Sequence, residues 1–335
     1  MIKYTDIIVD LQAGDTGKGK VAHALASTKD EYTHVIRYNG GGNAGHTIYH
    51  DGNKFVTHYI PVGVIYGIKS IIGPGCIVNP SKLEEEIRTL EKGGFKVREN
   101  LLIDKRVHIT KDEYVEEDTK DIKIGTTKTG NGPTYREKYN RTGLRAEDCE
   151  EVFDYVVDMY DELHGEDEVK ILFEGAQGFE LDIDWGDYPY VTSSHCTVAG
   201  ALQNGVPYQT VRDVYGIAKA YRTYVGNKKF EEPSRTFDLI RQVGNEFGAT
   251  TGRPRQIGWL DLDDLKKGIK INGVNKLIIN KIDVIEKVNT FKLKENGNLL
   301  TFNDKRLFKG FIIQYLVKEC STLKEVTFSE SPYEI

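Results

Sequence analysis

Six stretches of the chain carry residue types whose spacing suits nucleotide chemistry. LQAGDTGKGK, residues 11–20, matches a phosphate-binding loop of the G-x-x-x-x-G-K type over residues 14–20, with Val21 where a Ser or Thr would ordinarily follow. Backbone N–H groups of such a turn at a helix start form an anion site, and Lys18 or Lys20 can neutralise phosphate charge. RYNGGGNAGHT, residues 37–47, has three successive glycines that let backbone approach a ligand closely. Its His46 stands in a glycine-rich loop after a strand, where a general acid is well placed. IGTTKTGNGPTYREKYNRTGLR, residues 124–145, is dense in hydroxyls and glycine and ends in Arg141 and Arg145, which suits phosphate or carboxylate binding. FEGAQGFELDIDWGDYPYVTSSHCT, residues 173–197, sets Gln177 and Thr192 beside Asp182, Asp184 and Asp187. A metal cluster is conceivable there, but acids next to Gly or Pro without a recurring ligand spacing favour turn roles. GATTGRPRQIGWLD, residues 248–261, places Thr250, Thr251, Arg253 and Arg255 around a glycine and a proline, so that two guanidinium forks can grip a planar anion. INKID, residues 279–283, ends an apolar run with Asp283, a carboxylate able to accept the N1–H and exocyclic amine of guanine while the Lys281 stem lies along the base.

The elements that must hold these stretches alternate. Residues 6–11 are short, apolar and β-branched, the glycine loop follows, and VAHALAS then favours helix. Strand-like runs recur at residues 34–37, 70–72, 169–173, 214–219 and 276–280, with helical pieces at 80–92 and 149–163 between them. The pattern predicts an α/β fold: a P-loop-like, mostly parallel central sheet flanked by helices, with elaborated loops. Ser81, three residues before Glu84, predicts a capping box for the LEEEIRTLEK helix, whose charges should form a solvated face. No internal repeat or proline-rich linker divides the chain, so residues 1–335 are expected to form one elaborated domain.

Composition narrows the partners. A net charge of -6 argues against a nucleic-acid or anionic-membrane surface, both of which call for a basic face. Cys76, Cys149, Cys196 and Cys320 stand far apart with no C-x-x-C pair, which predicts reduced thiols and a cytoplasmic protein. No apolar stretch approaches the roughly 20 residues of a membrane span.

Taken together and in this order, the six stretches resemble the adenylosuccinate synthetase family. The family loop Q-W-G-D-E-G-K-G-K is matched by residues 12–20 except at Ala13 and Thr16. N-A-G-H-T is intact at 43–47, G-T-T at 125–127, E-G-A-Q-G at 174–178, Y-P-Y-V-T-S-S at 188–194, and G-A-T-T-G-R with G-W-L-D lie within 248–261. Beyond Lys287 the likeness is loose.

The resemblance implies an enzyme, a C–N bond-forming ligase that releases GDP and phosphate, with GTP as co-substrate and Mg²⁺ as cofactor, joining L-aspartate to purine C6. Asp15 would replace the missing hydroxyl by holding Mg²⁺ with the Gly45 carbonyl, and would also take the purine N1 proton. His46 would stabilise O6 and Lys18 the transferring phosphoryl. Gly17, Gly19, Lys20, Gly45, Thr47, Lys281 and Asp283 match the GTP site. Asn43, Thr127, Arg141, Gln177, Thr192 and Arg253 match the purine nucleotide site, with Arg141 supplied by the neighbouring subunit of a homodimer. Thr250, Thr251, Arg253 and Arg255 match the aspartate loop. Pro254, where bacterial members usually carry Arg, stiffens that loop and removes a charge.

Hypoxanthine and guanine share N1–H and O6, so the same chemistry serves IMP, giving adenylosuccinate for AMP synthesis, or dGMP. Ala13 and Thr16 make the loop smaller and less acidic, as in phage relatives that make N6-succino-2-amino-2′-deoxyadenylate for diaminopurine DNA. The reading favours dGMP, with IMP as the alternative. A GTP-binding switch using residues 14–20 and 280–283 without ligase chemistry is the reading from another class, and His46 with the Arg253/Arg255 loop speaks against it.

Overall fold

The computed structural model describes all residues except 123, 232 and 249–251. Its centre is a nine-stranded sheet built from β1 (Ile2–Asp10), β2 (His34–Arg37), β3 (Lys69–Ile72), β4 (Leu101–Asp104), β5 (Val156–Val157), β6 (Val169–Glu174), β7 (Val211–Lys219), β8 (Lys276–Asn280) and β9 (Glu325–Phe328). The spatial order is β9-β8-β7-β1-β6-β2-β3-β4-β5, and every pairing is parallel. A parallel sheet needs crossovers that cover both faces, so its strands should bury both sides. They do: Ile7 and Val9 join one apolar cluster with Phe173 and Ile279, while Ile8 joins another with Val35, Leu172, Ile217 and Ile278.

The strand expectations hold, with β1 and β7 extending further at their N-terminal ends than the apolar runs implied. A second sheet of Tyr221–Tyr224, Gln256–Asp261, Lys292–Glu295 and Asn298–Thr301, and the hairpin His46–His50 with Asn53–Thr57, were not anticipated.

Three local expectations need correction. Residues 149–163 are not one helix: a 3₁₀ turn, Glu150–Tyr155, leads into β5, and the helix Met159–His164 starts at its cap Asp158. The β-branched pair Val156 and Val157 adds to the sheet edge beside β4 instead of continuing a helix. In the helix Pro80–Lys92 the cap is Asn79, whose side chain accepts from Lys82 N at 3.1 Å, not Ser81. Proline at the first helical position has its φ preset and biases the preceding residue to the extended form a cap requires. Nor is that helix charged only toward water: Glu86 is buried and accepts the N–H groups of His58, Tyr59 and Ile60. Burial pushes its carboxyl up to about 7 despite those bonds.

The four cysteines are buried and unpaired with one another, and no helix among the described residues is long and apolar enough to cross a membrane.

Candidate active site

Five adjacent strands end in a polar residue: Asn280 on β8, Lys219 on β7, Asp10 on β1, Glu174 on β6 and Arg37 on β2, each no more than 3% exposed. Two residues before each stand Ile278, Ile217, Ile8, Leu172 and Val35, all in one apolar cluster, so the two-residue period puts the five polar side chains on one face. Ligands of open α/β sheets bind at this carboxyl rim. Here the glycine loop leaves β1 and feeds the helix α1 (Lys18–Ala26), which lies over the same face through Val21 and Ala22.

The loop is wound by positive φ: Gly14 at 84°, Asp15 at 58° and Gly17 at 101°. A left-handed Asp is costly but tolerated, and such strain gathers where a side chain must be aimed. Asn280 anchors the turn by donating to the Thr16 carbonyl at 2.8 Å, and a Cβ on Gly17 would come within 2.9 Å of that amide. A Cβ on Gly19 would lie 2.9 Å from His46 Cβ, so the loop reaches the second motif only because position 19 is glycine; the Thr47 carbonyl lines the same contact.

His46 is buried, with Nδ1 2.5 Å from Glu174 Oε1 and Nε2 3.4 Å from Arg37 Nη1. A carboxylate only accepts and a guanidinium only donates, so the proton sits on Nδ1 and Nε2 carries the lone pair. Burial and the Arg37 charge push the imidazole down to about 4 against the pull of Glu174. Glu174 would itself be raised by burial, but Arg37, His46 and the Val62 N–H hold it down to about 2. His46 is thus neutral, rigidly oriented, and ready to gain a proton when negative charge arrives at Nε2.

Asp15 Oδ2 lies 2.9 Å from Arg255 Nε, yet that Nε completes no aligned hydrogen bond. The pair interacts through charge without an aligned hydrogen bond, and the exposed carboxylate keeps lone pairs for a cation or a proton. Arg255 is held from behind by Glu246, whose Oε2 accepts from Nη1 at 2.5 Å and which also accepts from Lys219 at 3.2 Å and the Tyr221 hydroxyl at 2.6 Å. All of this is dry: Glu246 and Lys219 are fully buried, and burial pushes Lys219 down to about 8. Arg253 reaches the Gly125 carbonyl at 3.3 Å, joining the aspartate loop to the G-T-T loop, where Thr127 and Thr129 hydroxyls pair at 3.0 Å. Thr250 and Thr251 lie outside the described residues.

Gln177, at φ 55°, donates to Asn43 Oδ1 at 2.8 Å, and its backbone packs beside Gly14, so these two nucleotide candidates meet next to the loop. Gly45 precedes His46 directly, which sets its carbonyl in the same turn. Thr192 is tied through its N–H to the Leu181 carbonyl at 2.8 Å. Burial and the charge of Lys281 push Lys20 down to about 8, with Asp283 opposing, so these three GTP candidates also cluster. Lys20 donates to Ser329 Oγ and to the carbonyls of Ser331 and Glu334, Lys281 to the Gly244 carbonyl, and Asp283 pairs with Lys287. Arg141 caps its helix at φ 66° and is exposed; no hydrogen bond or ion pair joins it to the other described site residues. Asp182 is a turn residue, as its setting implied: its carboxylate accepts from the N–H groups of Asp184, Trp185 and Cys196.

Lys18 is the surprise among the loop residues: its ammonium is buried, donating to Asp10 Oδ2 at 2.8 Å and the Gln177 carbonyl at 2.6 Å. The loop is therefore not short of acid, because Asp10 supplies a carboxylate from the strand below. Sequence reading missed Asp10, Arg37, Glu174, Lys219 and Glu246. For four of them a signal existed, a lone charged residue closing an apolar strand. Ala13 lines a cavity of about 260 Å³ together with Leu181, Tyr190, Tyr224 and the Glu180–Arg222 pair, 3.0 Å apart. Burial pushes Glu180 up to about 7 even beside that guanidinium.

The donors present suit the cofactor the motifs imply. An exposed carboxylate oxygen and a turn carbonyl are hard oxygen ligands, the set that Mg²⁺ takes together with phosphate oxygens.

A sequence model described as adenylosuccinate synthetase matches residues 7–157 and 148–299. The adenylosuccinate synthetase of Borrelia turicatae is 34% identical over 95% of this chain and 84% of its own length, and that of Bacteroides fragilis 38% over 89% and 83%. Among solved structures, the fully ligated adenylosuccinate synthetase of Plasmodium falciparum superposes with a TM-score of 0.84 at 28% identity, covering 98% of each chain. The succinoaminodeoxyadenylate synthetase of cyanophage S-2L, solved with dGMP and with dATP as energy donor, shares the fold with a TM-score of 0.77 at 22% identity, over 99% of this chain and 94% of its own. On these matches and the site geometry, the chain belongs to the adenylosuccinate synthetase family of C–N bond-forming ligases, enzymes that use GTP and Mg²⁺.

Proposed function

We propose that the protein joins L-aspartate to C6 of a purine nucleoside monophosphate at the expense of GTP, acting in the cytoplasm as one elaborated domain and a homodimer completed by Arg141. The observation that carries this reading is the convergence of Asp15, Arg255 and the Glu174-oriented His46 around one phosphate loop. Asp15 takes the N1 proton, which makes O6 the nucleophile toward the γ-phosphorus; GDP leaves and O6 carries the phosphoryl group. His46, taking up a proton on Nε2 as negative charge builds beside it, donates that N–H to O6. Lys18, with two of its three N–H groups already committed, offers the third to the transferring phosphoryl. Arg253 and Arg255 hold the aspartate carboxylates, its amine attacks C6, and phosphate departs with the O6 oxygen. Asp15 and the Gly45 carbonyl would hold Mg²⁺, which would supply neutralisation of the phosphate charge. Lys281 and Asp283 select guanine in the donor.

For the acceptor we favour dGMP, giving N6-succino-2-amino-2′-deoxyadenylate as in phage diaminopurine synthesis. The cavity beside Ala13 supports this, because it adds room and hydrogen-bonding groups, Glu180 and Arg222, next to the loop that carries the base-deprotonating Asp15. IMP is the second reading, favoured by relatives at 34–38% identity that are named adenylosuccinate synthetases. With GTP, Mg²⁺ and aspartate, kcat/KM for dGMP should exceed that for IMP. An IMP preference of tenfold, about 1.4 kcal/mol, removes the dGMP reading and leaves the reaction intact. GTP hydrolysis with no succinylated product from either nucleotide would favour the switch.

A further inference from the structure

We infer that Asp10 is the positioning residue for Lys18, a role fulfilled from the end of β1 and not from within the phosphate loop. Its carboxylate is 1% exposed and every bond it accepts comes from the loop: Gln12 N on Oδ1 at 2.9 Å, and Thr16 Oγ1 at 2.5 Å with Lys18 Nζ at 2.8 Å on Oδ2. Three contacts from the start, middle and end of the loop thus meet on one side chain at the end of a central strand paired on both sides. A lysine stem has four rotatable bonds and an ammonium that spins freely. Asp10 and the Gln177 carbonyl take two of the three N–H groups, which fixes the direction of the third. The space allows nothing larger around the carboxylate, since a Cβ on Gly178 would come within 2.7 Å of Oδ1.

Position 16 explains why the carboxylate is at position 10. The family loop carries Glu there, and this chain carries Thr16, whose hydroxyl points at the Asp10 carboxylate. A longer acidic side chain at 16 would occupy the place of that carboxylate, so the acid beside Lys18 has one seat, reachable from either position.

The inference rests on the ligase reaction and is tested on kcat and KM separately. Asp10→Asn keeps the shape and removes the charge. Released from its counter-ion, Lys18 should pair more readily with ground-state phosphate, so kcat should fall at least tenfold while KM for GTP stays level or drops, with KM for aspartate and purine nucleotide within threefold. Asp10→Ala with Thr16→Glu clears the seat and returns the carboxylate from position 16, and should restore kcat to within threefold of the parent. Unchanged kcat in Asp10→Asn, or a double variant that folds and is no better than the single one, overturns the assignment. Should Asp10→Asn fail to fold, Thr16→Val decides: it leaves the ion pair and removes one tether, and should lower kcat by threefold or more at constant KM for GTP. Full kcat in Thr16→Val would then overturn the role. Absence of product from the parent enzyme itself would instead count against the ligase reading.

Discussion

Asp15 stands at φ 58°, where Asn is tolerated nearly as well as Asp, so Asp15→Asn isolates the carboxylate from its backbone. Turnover should fall by about a thousandfold or more, the scale expected when a general base is removed, with the melting temperature little changed. Near-normal turnover in steady-state assays would remove Asp15 from the chemistry. Asp15, His46, Gln177 and Asn43 were legible because they sit in loops whose glycines announce a ligand. Their supporters were not, since nothing in the linear pattern says that Glu174 and Arg37 meet across neighbouring strands to orient His46. What was available was subtler: VKILFE, VYGIAK, IIVD and HVIR each close on a charge that a buried strand does not otherwise need.

At the level of elements, the helix Pro80–Lys92 shows where pattern reading stops. Its span was readable to the residue, but its cap and Glu86 were not, because a proline moved the cap upstream and tertiary backbone N–H groups recruited the acid. Glu86 has a measurable signature. Its folded pKa of about 7 lies above the ordinary 4.5, so the fold binds its proton more tightly than the unfolded chain does. Stability from this group rises as pH falls from 7 toward 4.5. Denaturation of wild type against Glu86→Gln should therefore show wild type gaining over that window by up to about 3 kcal/mol, and a pH-independent gap would contradict it. The loop at 252–255 depends in the same way on an element behind it. Glu246→Gln takes the anion from Arg255 and Lys219, and should raise KM for aspartate about tenfold, worth about 1.4 kcal/mol, with a smaller effect on KM for GTP. Equal rises for both substrates would mean that the network serves stability alone.

Across the whole molecule, the parallel order was legible from alternating apolar runs and helices, whereas the small second sheet was hidden because its strands are four to six residues long and mixed in polarity. Apolar clusters on both faces of one nine-stranded sheet favour reading the chain as one elaborated domain. Arg141 belongs to this scale: exposed and not bonded to the other described site residues, it is the group proposed above to complete a second subunit's site. Arg141→Leu should raise KM for the purine nucleotide, and mixing it with inactive Asp15→Asn subunits should recover activity as heterodimers form. No recovery on mixing would show that Arg141 does not cross between subunits. The rim of the sheet has a further consequence. Beside the neutral Asn280 at one end, Lys219 and Arg37 flank Asp10 and Glu174 in a row closed to water. Solvent cannot dilute an error there, so a lone swap leaves a whole uncompensated unit of charge. Such a platform tolerates exchange only in matched couples. Altered acceptor preference is therefore to be sought among the residues that hang above it, which can vary one at a time.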